Sequence, residues 1–282
     1  MSESARRARN LAILSAAFLG GFVALYFAAV RTPDGQLIDA ASLGVLGWLR
    51  GDAWLAFYDG RDIVLYGVLV GALVAALTVM LERRWKPVIY SGLLVGIVAV
   101  ASIALKELLP RPYLGDFAYV ENTFPSGHTA ITLAASIAII WCGPRWFSPV
   151  LVFLLGALVS FVALASVLSS AHRASDSLAG ALLTGAVSFA LAALARATLP
   201  VTSRLRRGTV IGAVIAVAIG LVYLLASLGL FGAGDHPTQL GLAVVLTTLG
   251  IVVFVIAVHR PFLPANPVRP IAPGSAGRQE GL

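Results

Sequence analysis

Charge is scarce in this sequence. Only 12% of its 282 residues are Asp, Glu, Lys or Arg, against 59% hydrophobic residues and a mean hydropathy of +0.92. Such a chain is too apolar for a water-soluble core, and a soluble globular domain is excluded. Cysteine is nearly absent as well. The single Cys142 lies inside an apolar run, so neither a disulfide framework nor a Cys-based metal site can be built within the chain. No Asp, Glu or Cys cluster has coordinating spacing, and no metal or cofactor is expected. The net charge of +7 would raise nucleic acid as a partner of a soluble protein. Here the basic residues sit mostly in short segments between apolar runs, where they report topology, and nucleic-acid binding is discounted.

What the sequence does have is apolar runs of about 20 residues. They fall at 11–30, 63–81, 88–109, 129–143, 150–171, 177–199, 209–234 and 239–259. The fold expected is therefore an all-α, polytopic membrane helix bundle of about eight transmembrane spans. The 129–143 run is short, and its first turn is expected to start at Ser126. Arg6, Arg7 and Arg9 precede the first run, which is longer than the apolar region of about 7–15 residues in a secretory signal, so this run reads as an uncleaved span with a cytoplasmic N-terminus. Counting connections alternately then places 14 of the 20 basic residues inside, an asymmetry that supports the orientation and the even number of spans. Both termini are expected in the cytoplasm. The outer segment 31–62 differs from the other loops. Ile38, Ala41, Val45, Trp48 and Leu49 recur at helical spacing and Trp48, Trp54, Phe57 and Tyr58 favour the headgroup region, so it reads as short interfacial helices or as a connector folded onto the bundle.

Three polar clusters stand at the ends of spans: Lys106 with Arg111-Pro112, Phe124-Pro125-Ser126-Gly127-His128, and His172-Arg173 with Asp176. The topology puts all three on the outer face, where they can converge. Each has an ordinary reading. Lys106 would be a helix-end lysine snorkelling to the interface, Ser126 a helix N-cap, and His172 with Asp176 an i,i+4 pair. Together, in this order and on one face of so uncharged a protein, they point to a site for phosphoryl chemistry.

The arrangement resembles the type 2 phosphatidic acid phosphatase family of membrane-embedded, metal-independent lipid phosphate phosphatases. That pattern runs Lys, Arg-Pro, Pro-Ser-Gly-His, then Ser-Arg followed by His and Asp. Residues 124–128 match fully and His172 with Asp176 has the right internal spacing. The resemblance covers roughly residues 60–195. It implies a six-span phosphatase-like core, taken as residues 1–200 with the outer loop 31–62. Residues 201–260 then supply two extra spans and the Pro- and Gly-rich 261–282 a disordered cytoplasmic tail.

The resemblance also implies roles. His172 attacks phosphorus, Asp176 fixes its tautomer, and His128 protonates the leaving oxygen. Lys106, Arg111, Ser126, Gly127 and the first backbone N–H groups of the fourth span hold the phosphoryl oxygens. The expected activity is release of phosphate from a lipid phosphate, of the polyprenyl phosphate, polyprenyl pyrophosphate or phosphatidate type, through a phosphohistidine. The partners implied are that substrate and membrane lipids. Two departures stand out. Four residues rather than six separate Lys106 from Arg111, with Tyr113 at the six-residue position, and Ala165 and Ser166 occupy the Ser-Arg positions. One phosphate-binding arginine is missing, at an expected cost of about 1.5–3 kcal/mol in phosphate affinity. Arg173 is a substitute, though on a helix it would point about 100° away from His172. The alternative function is a catalytically altered member that binds a lipid phosphate or transfers its phosphoryl group to another acceptor. A transporter would need ionisable groups within the spans, which are almost absent. Asp235 and His236, between the last spans, read as an ordinary turn. Arginine supplies all of the basic residues but Lys86 and Lys106, a composition that points to a GC-rich bacterial source and hence to a bacterial cytoplasmic membrane.

Overall fold

In hydrocarbon a backbone amide finds no water, so each apolar run satisfies its own N–H and C=O groups by coiling. The computed structural model describes residues 3–44, 53–115, 121–143, 149–195, 204–227 and 236–259. These form nine α-helices and no strand: α1 (Glu3–Leu25), α2 (Pro33–Ala41), α3 (Trp54–Leu81), α4 (Trp85–Leu108), α5 (Gly127–Cys142), α6 (Pro149–Leu168), α7 (Ala174–Leu194), α8 (Arg204–Ser227) and α9 (His236–Val258). A π-helical turn, Tyr26–Val30, extends α1. Seven helices are long and apolar enough to cross a membrane, and the 16-residue α5 is the short eighth. The protein is a polytopic helical bundle. On α3, Ile63, Tyr66, Val70, Leu73 and Leu77 recur every three to four residues and stay exposed, as befits a face turned to lipid.

The core is centred on α5, which packs against α3, α4, α6 and α7. Its Ala130, Leu133, Ala134 and Ile137 are fully enclosed with Leu94, Val98, Val159, Ala181 and Phe189. With little hydrophobic force between helices in a membrane, small residues decide how closely they approach. Gly180 is the clearest case: a Cβ there would lie 2.5 Å from the Ser126 carbonyl oxygen and 3.1 Å from Ala130 N. α7 thus runs directly against the first turn of α5.

The last two spans share this core. Val252, Val255 and Ile256 of α9 belong to the same cluster. His259, which ends the described part of the chain, is buried: its ring stacks on Phe189, with centroids 4.9 Å apart. Trp141 Nε1 donates to His259 Nδ1 at 3.3 Å, and Nε2 lies 3.0 Å from Ser188 Oγ. An indole N–H only donates, so Nδ1 is the acceptor and Nε2 carries the proton.

The segment 31–62 divides in two. Thr32 caps α2, its Oγ1 accepting from Gly35 N at 3.0 Å with Pro33 at the first helical position. Gln36 Nε2 donates to the carbonyls of Val30 and Pro112, both at 2.8 Å, so α2 folds onto the bundle as a connector. Trp54, Phe57 and Tyr58, read from the sequence as part of short interfacial helices, begin α3, which runs unbroken through Asp59-Gly60 into the apolar run. Val45, Trp48 and Leu49 lie outside the described residues, as do Asp235 and the 261–282 tail, while His236 opens α9.

Candidate active site

His172 and Asp176 are placed by the junction of α6 and α7. α6 ends with Ser170 in the left-handed conformation (φ 55°), and the N–H groups of Ser170 and Ala171 donate to the carbonyls of Val167 and Ser166 at 2.9 and 3.0 Å. This is a Schellman closure, here without glycine. His172 N also donates to the Ser166 carbonyl at 3.0 Å, which sets His172 on the turn rather than on a helix. Arg173 is the extended N-cap residue of α7, and Asp176 Oδ2 accepts from its backbone N at 2.9 Å and from Thr123 Oγ1. The expected i,i+4 helical pair is therefore corrected: His172 precedes the helix. Its Nδ1 lies 3.6 Å from Asp176 Oδ2, within ion-pair range but beyond a hydrogen bond. Nor does helical geometry turn Arg173 away from His172, as expected from the sequence, since neither residue is helical. Arg173 is buried, with Nη1 donating to the Glu121 carbonyl at 3.4 Å.

Ser126 is the N-cap of α5 as expected, its Oγ accepting from Thr129 N at 3.4 Å, while its own N–H donates to the Asp176 carbonyl at 2.8 Å. That bond ties the Pro-Ser-Gly-His turn to α7. Gly127 starts the helix, and His128 on its first turn comes to 6.2 Å from His172 between ring centroids. The two histidines, 44 residues apart in sequence, thus share one place.

Arg111 is positioned by its loop, where Tyr26 Oη donates to the Pro110 carbonyl at 2.8 Å and Gln36 to that of Pro112. Its Nη2 meets Asp39 Oδ2 at 2.6 Å in a buried ion pair. Asp39 also accepts from Ser175 N at 3.1 Å and Ser175 Oγ at 2.7 Å, one residue from Asp176. Arg111 is thus joined to the histidine cluster through α2. Lys106 is half-buried in the last turn of α4, and its ammonium has no hydrogen-bond or ion-pair partner among the described residues. Its carbonyl accepts from Asn122 Nδ2 at 2.8 Å. Ser166 is fully buried, with Oγ donating to the Val162 carbonyl at 2.8 Å.

Three site residues escape the sequence reading. Asp39 is one. The others are Arg61 and Asp62, which lie inside α3 rather than in a loop. Asp62 Oδ1 is 3.0 Å from His128 Nε2 and 3.3 Å from Arg61 Nε. The available signal is their charge beside apolar runs in a chain with so little of it.

Burial, and then the negative charge of Asp176, push the Asp39 carboxyl up from its ordinary 3.8 to about 6, against the opposing pull of Arg111. Folded protein therefore binds this proton more tightly than unfolded protein, and Asp39 makes stability fall as pH rises from 3.8 to about 6. Unfolding midpoints measured across that window should decline more steeply for wild type than for Asp39→Asn; parallel curves would contradict the assignment.

Among the described residues, six buried side-chain N and O atoms have no hydrogen-bond partner, and four of them are Arg61 Nη1, Arg111 Nε, His172 Nδ1 and Asp176 Oδ1. Unsatisfied buried groups are rare, and these gather at one site. No group of three or more His, Cys, Asp or Glu residues among the described residues has the geometry to hold a metal ion.

Fold and site together describe a polytopic helical membrane protein with two histidines set among carboxylates and arginines. Residues 103–200, from the end of α4 through α7, match the PAP2 superfamily, consistent with a member of the type 2 phosphatidic acid phosphatase family. The match supports phosphatase-type activity on phosphate esters. No curated protein and no solved structure matches the chain.

Proposed function

We propose that the protein releases phosphate from a lipid phosphate at the outer face of a bacterial cytoplasmic membrane, through a phosphohistidine. The observation that carries this reading is the meeting of His128 and His172, 6.2 Å between ring centres. That spacing leaves room for one phosphoryl group to reach both imidazoles. With Asp176 beside Nδ1, neutral His172 presents the Nε2 lone pair to phosphorus. The N–P bond forms as the bond to the lipid oxygen breaks, and His128 gives that oxygen its proton. His128 then takes a proton from water as the water oxygen attacks phosphorus, and inorganic phosphate leaves with His172 restored. Arg111, Lys106, Arg173, Ser126 and the N–H groups of the Gly127 turn hold the oxygens, the last because a helix N-terminus favours anions. Outward orientation is supported by the distribution of basic residues.

Purified protein in lipid should release inorganic phosphate from at least one of a polyprenyl phosphate, a polyprenyl pyrophosphate, phosphatidate or phosphatidylglycerol phosphate, with EDTA having no effect. Release that requires Mg²⁺ would refute the mechanism. A second reading has one observation in its favour, Ser166 in place of arginine: a lipid phosphate that binds without phosphate release from any of the four would replace hydrolysis by binding or transfer.

A further inference from the structure

The chain lacks an arginine at position 166, yet the fold brings a different one to the histidine pair. Arg61 lies in the third turn of α3 and is only 4% exposed. Its guanidinium is held on two sides: it sits 4.0 Å over the Tyr58 ring, and Nε donates to Asp62 Oδ1 at 3.3 Å. The same oxygen is 3.0 Å from His128 Nε2, so guanidinium and imidazole flank one carboxylate atom. Nη1 is buried with no hydrogen-bond partner. Arginine stays charged in proteins, and a buried donor on a charged group is costly to leave unmade. α3 also packs on α6, the helix that carries Ser166; a Cβ on Gly60 would come within 3.2 Å of the Phe161 ring.

We propose that Arg61 is a phosphate-binding arginine of this site, supplying from α3 the guanidinium that position 166 does not supply from α6. Its ligand is the phosphoryl group of a phosphate ester, and the inference rests on the phosphatase reading above. Asp62 takes the Nε–H and orients the planar fork, which leaves terminal N–H groups for phosphoryl oxygens. The contrasting role is purely structural, with Arg61 a buried counter-ion that anchors Asp62 and nothing more. Arg173 is the rival donor, since it adjoins His172 in sequence.

The test uses the full chain in lipid nanodiscs, with inorganic vanadate as the probe, read by titration calorimetry and by thermal unfolding with and without the anion. Arg61→Gln should raise the vanadate Kd on the order of ten- to a hundredfold, as loss of one charge-assisted donor does. Arg61→Lys should fall between, because an ammonium keeps the charge and loses the fork. A structural anchor would instead lower the unfolding midpoint and leave Kd unchanged, which overturns the proposal. So does an Arg61→Gln protein that binds as wild type does while Arg173→Gln loses binding. Should Arg61→Gln not fold, a structure of the wild type with vanadate decides directly: Nη1 or Nη2 within about 3.2 Å of a vanadate oxygen upholds the role, and no such contact refutes it. A wild type that hydrolyses a lipid phosphate and holds vanadate without Arg61 sinks this inference alone. A wild type that neither binds vanadate nor releases phosphate sinks it together with the phosphatase reading.

Discussion

Replacing His172 by alanine is expected to abolish phosphate release, while Asp176→Asn leaves a folded protein whose turnover is lower by about 10²- to 10⁴-fold. The two differ because the first removes the nucleophile and the second only its orienting charge. The carboxamide of Asp176→Asn would still offer an oxygen to the backbone N of Arg173 and to Thr123, the two donors that Asp176 Oδ2 now serves, so the start of α7 should survive. What it cannot supply is a negative charge 3.6 Å from His172 Nδ1 to stabilise the imidazolium as it forms. Initial rates on the best lipid phosphate, with unfolding midpoints to confirm the fold, make the comparison. Phosphate release that persists in His172→Ala would end the phosphohistidine mechanism.

Gly180→Ala should be nearly as damaging, though it changes no reactive group. The added methyl would meet the Ser126 carbonyl oxygen at 2.5 Å and Ala130 N at 3.1 Å, both backbone atoms of a capped helix start that cannot swing aside. Relief requires α7 to move off α5. The bond from Ser126 N to the Asp176 carbonyl spans the same contact, and His128 and His172 stand on its two sides. A loss of about 1–3 kcal/mol in stability and at least a roughly tenfold fall in turnover are expected. Gly96→Ala on α4 is the control, because a Cβ there meets nothing within 4 Å. Equal behaviour of the two variants would show that close approach at Gly180 does not hold the site together.

The helices and the histidine pair are legible in the sequence because each rests on a local rule. Runs of apolar residues have one solution in hydrocarbon, and Pro-Ser-Gly before an apolar run caps a helix whatever lies around it. Sequence reading fails where long-range packing decides. Nothing local distinguishes Asp39 from a surface aspartate; it belongs to the site because Gln36 docks α2 beside the Arg111 loop, 76 residues away in sequence. Arg61 and Asp62 read as loop residues because charge ordinarily marks the end of a span. In the fold they are helical, with His128 as neighbour. The spacing of His172 to Asp176 draws both on one helix, and the left-handed Ser170 that ends α6 carries no glycine to announce the break.

The brevity of α5 has a consequence for which molecules can be acted on. Sixteen residues span about 24 Å, short of the roughly 30 Å of hydrocarbon, so at least one end of this helix lies beneath the headgroup layer. The helix is sheathed by its neighbours, so no lipid has to adjust to it. If the submerged end is the N-terminal one, which carries the proposed reaction centre, depth acts as a filter. A free anion such as a sugar phosphate would have to leave bulk water unaided to reach it. A phosphate carried on a hydrocarbon anchor is already confined to a layer a few ångströms thick, and its anchor has met the cost of concentration before the arginines act. Under the proposed function, preference for anchored over freely diffusing esters would arise from where the site sits, without any residue that recognises the chain.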